Sequence, residues 1–140
     1  MKTRSCFLLL AALILLLAGC GDGIPKRYPV EGQVVFEDGT PVKTGIVEFL
    51  SADKKYSATG NIQRDGSFRL TTLKDYDGAI AGEHYCIVKQ FIVFNPDDGV
   101  VHNHGGHVKA YFADYKTSPL TFTVNTRKTE IKIVVEEDLD

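Results

Sequence analysis

Three histidines fall within six residues of the 140-residue chain, in HNHGGH at residues 102 to 107. In an extended chain, residues two apart point the same way, so His102 and His104 can face one ion. Gly105 and Gly106 can turn the chain back and bring in His107 as a third imidazole. Three imidazoles with an open fourth position suit Zn²⁺ or Cu²⁺. Against this stands the cost of ordering a glycine-rich loop, about 1–2 kcal/mol per residue fixed. No carboxylate lies inside the motif to orient an imidazole, although Asp97 and Asp98 precede it closely. The competing expectation is a solvated polar loop that holds no metal, in a protein without a cofactor.

Other reactive side chains do not assemble into a catalytic pattern. A nucleophile triad needs a serine or cysteine, a base and an orienting acid in one cleft, and no nucleophile elbow is present. Cys86 lies inside an apolar run, YCIVKQFIVF, where a small buried side chain is expected. Asp75 and Asp77 open like a calcium loop. Such a loop would need glycine at 80 and glutamate at 86, where the chain has Ile80 and Cys86. The pair is therefore read as a turn. Tyr111, Phe112 and Tyr115 lie beside the histidine loop and are the candidate ligand-contact aromatics. Their alternative role is to pin that loop to the body of the domain. No enzyme activity is expected from this inventory.

The compartment is written at the other end. Lys2 and Arg4 precede a 13-residue apolar run, Cys6 to Ala18. A membrane-spanning helix needs about 20 residues, so the run is a secretory signal rather than a span. Its end, LAGC (residues 17 to 20), resembles the bacterial lipobox, in which the cysteine thiol receives a diacylglyceryl group before cleavage. The expected organisation is a lipoprotein signal over residues 1–19, a lipidated Cys20 with a polar tether over 20–27, and a domain over 28–140. Two or more acyl chains hold a protein stably, at about 0.8 kcal/mol per buried CH₂. The protein is then exported and lipid-anchored to a bacterial membrane, on its periplasmic or cell-surface face.

Loss of Lys2 and Arg4 lowers the basic residues from 16 to 14, against 18 acidic ones. No basic stripe remains, so nucleic acid is not an expected partner. Cys86 has no intramolecular partner after Cys6 is removed and Cys20 is acylated, so stability must come from packing.

The elements that position these residues read as strands. VEGQVVF sets Val30, Gly32, Val34 and Phe36 against Glu31 and Gln33. GIVEFL puts Val47 and Phe49 on one face, and residues 56–62, 67–70, 120–124 and 131–135 alternate in the same way. YCIVKQFIVF suits a central strand covered on both faces. Asp-Gly pairs at residues 38, 65, 77 and 98 mark turns between them. About seven short strands punctuated in this way predict an all-β fold, an antiparallel β-sandwich. Residues 95–119 show no alternation and read as one long loop.

VEGQVVFEDGTPVKTGIVEFL resembles the opening hairpin of carboxypeptidase regulatory-like domains. GNIQRDGSFRL, DGAIAGEHYCIVK and the closing YKTSPLTFTV and EIKIVVEE resemble later signatures of that family. The resemblance implies a transthyretin-like (prealbumin-like, Ig-like) sandwich and an accessory role without catalytic residues. The expected function is a non-enzymatic interaction or structural module that contacts an envelope protein or polysaccharide. The alternative is a Zn- or Cu-binding periplasmic lipoprotein using the histidine loop.

The anchor is directly testable. Cys20→Ala should abolish lipidation and leave unprocessed precursor, measured by mass and by detergent phase partitioning. Normal processing and unchanged partitioning of the mutant would remove the lipoprotein assignment.

Overall fold

Each alternating strand offers one apolar row, and a row leaves water only when a second sheet covers it. The computed structural model describes residues 23–91 and 106–139. Its strands are β1 (Arg27–Tyr28), β2 (Val30–Phe36), β3 (Ile46–Ser51), β4 (Ser57–Asn61), β5 (Ser67–Arg69) and β6 (Ala79–Ile80). They continue with β7 (Gly82–Lys89), β8 (His107–Val108), β9 (Thr121–Val124), β10 (Thr129–Val135) and β11 (Glu137–Asp138). A 3₁₀ turn, Ala110–Ala113, separates β8 from β9. One sheet has the order β4-β3-β7-β9 and the other β10-β2-β5, with short ribbons β1-β6 and β11-β8 beside them. The seven strands of the two main sheets are those of three residues or more. The protein is an all-β sandwich.

The predicted rows form its core. Val47 and Phe49 of β3, with Cys86 and Val88 of β7, join Val34 of β2 and Ile133 of β10 in one buried cluster. Burial of each valine, leucine, isoleucine or phenylalanine contributes about 1.5–3 kcal/mol. Phe49 and Phe122 stack with centroids 5.6 Å apart and planes 7° apart. β7 is covered on both faces, as its continuous apolar run requires: Cys86, Ile87 and Val88 are consecutive and buried.

Gly32 shows why a glycine interrupts β2. A Cβ there would collide with the backbone carbonyl of Ile131 and lie 3.0 Å from the Phe68 ring. The close approach of β10 and β5 to β2 excludes any side chain at this point. Asp38-Gly39 and Asp65-Gly66 are turns with φ of +86° and +81° at the glycines. The side chains of Asp38 and Asp65 accept the N–H of Thr40 and Ser67.

Four expectations need correction. The sandwich is not wholly antiparallel, because β10 runs parallel to β2 along seven residues, from Thr129 beside Val30 to Val135 beside Phe36. Alternation of period two reads the same in both directions, so it carries no strand polarity. The opening segment is not a hairpin of paired strands. β2 folds back only as far as the Val35–Pro41 bridge, and β3 joins the other sheet. Of the loop assigned to 95–119, the described residues 106–119 contain β8 and the 3₁₀ turn: Val108 N–H donates to Gln90 Oε1, and Gln90 Nε2 donates to the Gly106 carbonyl. These side-chain bonds to backbone have no sequence period. Lastly, Arg27, assigned to the tether, belongs to the domain, since it pairs with Ile80 in β1-β6.

The two faces of a strand should respond differently to truncation. Phe68 is 2% exposed, and Phe68→Ala should cost about 3–5 kcal/mol. Thr123→Ala, on the exposed face of β9, should change stability by less than about 1 kcal/mol. Denaturant titration of both variants checks this, and equal costs would mean that the facing of these strands is wrong.

Candidate ligand-contact face

The residues singled out from the sequence do not gather at one place. Cys20, His102 and His104 lie outside the described residues. His107 is exposed on β8, opposite Asp138 of β11. Among the described residues, no three histidine, cysteine or carboxylate side chains cluster as metal ligands. The fourth histidine, His84, is 3% exposed, and its Nδ1 lies 3.0 Å from the Gly82 carbonyl. Burial pulls its pKa below the ordinary value, against the opposing effects of that carbonyl and Asp53. It is a neutral core histidine beside the Phe49 ring, with centroids 5.9 Å apart.

Of the three aromatics after the histidine loop, one lies in the core and two are partly buried. Phe112 is 3% exposed and part of the core, so it offers no surface to a ligand. Tyr111 is partly buried against that core and its hydroxyl turns to Glu136, which also pairs with Lys109 at 2.8 Å. Tyr115 is partly buried, and burial, followed by the Glu48 carboxylate, pushes its phenol pKa up. Ser118 Oγ donates to the Cys86 carbonyl at 2.7 Å, and Cys86 N–H donates to the Leu120 carbonyl at 2.9 Å. These bonds tie the segment to β7, and Phe112 enters the core.

A different surface carries an open concavity. The outward members of the three-stranded sheet fall into two rows by register. Glu130 of β10, Glu31 of β2 and Arg69 of β5 form one. Lys132, Gln33 and Ser67 form the other. Thr59 and Thr71 exchange two backbone hydrogen bonds of 2.9 Å, which bring the edge of β4 beside β5. The result is a trough of about 1120 Å³, flanked by Thr59 and Asn61 on β4 and by Asp75 and Tyr76 on the following turn.

Three of its charged side chains, Glu31, Glu130 and Arg69, are paired within the protein. Lys128 Nζ lies 2.6 Å from Glu31 and 3.1 Å from Glu130, and Arg69 Nε is 3.7 Å from Glu31. The hydrogen-bonded Lys128 holds the Glu31 carboxyl below its usual range, with Arg69 adding to the effect. These exposed pairs add little stability, and they neutralise the surface.

The turn over residues 71–78 is built around one carboxylate. Asp77 accepts the N–H groups of Thr72 at 2.8 Å and Lys74 at 3.0 Å, with Leu73 N–H at 3.3 Å. Arg27 Nε lies 2.7 Å from the same carboxylate, and both side chains are about 15% exposed or less. This is the turn expected for Asp75 and Asp77, with Asp77 as its hub. Tyr76, held between them, is 62% exposed and adopts φ of +59°. Its N–H donates to Thr71 Oγ1 at 3.0 Å, and its ring lies 5.6 Å from the Arg69 guanidinium carbon. A large side chain in the left-handed region is uncommon and costs on the order of 1 kcal/mol or more. Sequence reasoning missed Tyr76, because only the folded turn shows the conformation and exposure that distinguish it.

No protein-family model matches the sequence, and no curated protein matches it. Among solved structures, the chain is similar to a DUF3823 family protein from Parabacteroides merdae ATCC 43184, with a TM-score of 0.46 and 13% sequence identity. The match covers 81% of this chain and 48% of that one, so the chain spans about half the length of that protein.

The Asp77 hub has a defined pH dependence. Burial raises its pKa, but the backbone N–H groups and Arg27 outweigh burial and leave it below 3.8. A carboxyl with a depressed folded pKa stabilises the fold above its unfolded value, and that stability is lost as pH falls through the folded one. Asp77→Asn should therefore cost about 1–3 kcal/mol at neutral pH. The difference from wild type should shrink below about pH 4, measured by urea titration near pH 7 and near pH 3. A variant as stable as wild type at both values would show that Asp77 is not the hub.

Proposed function

We propose that this protein is a lipid-anchored bacterial envelope module without enzymatic activity. In this reading it has the transthyretin-like, carboxypeptidase regulatory-like kind of sandwich. It contacts an envelope protein or polysaccharide through the outer face of the three-stranded sheet. One observation carries the reading: the trough is a broad concave surface on the described part of the domain, and an exposed tyrosine in the left-handed region stands at its rim. The Asp77-centred turn holds Tyr76 in this conformation, and its side chain stays 62% exposed instead of packing into the core. The lining supports a contact role over catalysis. Glu31, Glu130 and Arg69 are held in ion pairs, and the lining contains no histidine or cysteine to act as base or nucleophile. The anchor, supplied by Cys20, keeps the trough at the membrane surface, where long envelope polymers and membrane proteins are its accessible partners.

A photo-crosslinking amino acid placed at Gln33, inside the trough, tests this in intact cells of the native host. The control is the same group at Thr123, on the outer face of the other sheet. Adducts of higher mass are expected from position 33 and not from 123. Adducts of equal yield at both positions, or none at 33, would remove the trough as the contact surface.

A further inference from the structure

We infer that the ligand of the trough is a neutral oligosaccharide chain, with the Tyr76 ring as its stacking platform. The inference rests on the contact role proposed above and names the ligand class. Three observations lead to it.

The first is charge. Glu31 and Glu130 are paired with Arg69 and with Lys128 beside the trough, and the two remaining charges of the lining, Asp75 and Lys132, are opposite in sign. A phosphorylated or uronic-acid polymer needs uncompensated cations, and a basic peptide needs uncompensated carboxylates. A balanced surface favours neither and suits a ligand without charge.

The second is the nature of the remaining polar groups. Gln33, Thr59, Asn61, Gln63, Ser67 and Thr71 are amides and hydroxyls that both donate and accept. A sugar hydroxyl also donates and accepts, so each such pair can satisfy both partners. A peptide would instead seek a free strand edge or a pocket for an apolar anchor. The central strand, β2, is paired on both sides and leaves no edge at the floor. The apolar lining is sparse: Phe68 is 2% exposed, and Ile131 packs against the core.

The third is Tyr76. Its ring is solvent-exposed at the rim, and its backbone is fixed by the bond from its N–H to Thr71 Oγ1 and by the neighbouring Asp77 hub. The aliphatic C–H face of a pyranose packs on such a ring, while its hydroxyls reach the polar floor. An aromatic fixed beforehand loses little conformational freedom on binding.

Calorimetric titration of the full chain in detergent micelles tests the inference, with maltohexaose, cellohexaose, xylohexaose and mannohexaose as neutral probes and hexagalacturonate as the anionic one. At least one neutral probe should bind. Tyr76→Ala should weaken that binding by about tenfold or more, and Tyr76→Phe should retain it within about threefold, because stacking uses the ring and not the hydroxyl. The affinity should change by less than about twofold as salt is raised, because no charge pair is made. Thermal unfolding of Tyr76→Ala should match wild type, which separates lost contact from lost fold. Three results would overturn the inference: no heat with any neutral probe, undiminished binding by Tyr76→Ala, or salt-sensitive binding confined to hexagalacturonate. If neutral probes fail while the crosslinker at Gln33 captures a protein, the oligosaccharide inference falls and the contact role stands. If both fail, both fall.

Discussion

The in-register parallel pairing of β10 with β2 is the constraint on which the rest of the domain depends. It joins residues 129–135 to residues 30–36, so the two ends of the described domain lie side by side. Because the pairing is in register, both faces of the sheet are set at once. Val34 lies beside Ile133 and Phe36 beside Val135 toward the core, while Glu31 lies beside Glu130 and Gln33 beside Lys132 toward solvent. A slip of one residue would bury the polar row and expose the apolar one. Gly32 is the local condition for this contact, since the Ile131 carbonyl occupies the place of a Cβ.

A second constraint acts at the rim. The Asp77 carboxylate gathers the N–H groups of the 71–78 turn and the side chain of Arg27. Arg27 belongs to β1, at the start of the described residues, where the chain leaves the proposed tether. The same carboxylate therefore connects β1 to the turn that presents Tyr76. Gly78 completes the arrangement: its φ is +85°, and a Cβ there would collide with the Tyr28 carbonyl of β1. Turn and ribbon are joined at the rim of the trough by these contacts, among which the Arg27–Asp77 pair is largely shielded from water.

The 106–120 segment shows how tertiary contacts override an uninformative pattern. Its residues have no alternation and its aromatics resemble a contact patch on paper. In the fold, Phe112 enters the core and Tyr111 packs at its margin. Gln90, Glu136 and Cys86 supply partners to its backbone and side chains. An aromatic side chain gains more from burial than from exposure, and Phe112 is buried accordingly.

The sequence by itself determined the facing of nearly every residue in the main strands and the positions of the described Asp-Gly turns. Both are local properties: alternation follows from the pleat, and a turn follows from the φ freedom of glycine and the short reach of aspartate. It also marked Glu31, Gln33, Ser67, Arg69 and Lys132 as outward residues of their own strands. It did not place them on one surface. Strand order and polarity depend on contacts between distant segments, and a period of two is the same whichever strand lies alongside and whichever way it runs. The parallel β10-β2 pair, the trough across its outer face and the left-handed Tyr76 were decided only by the tertiary structure. Each arises where separate segments meet and where their backbones, rather than any local pattern, fix the distance between them.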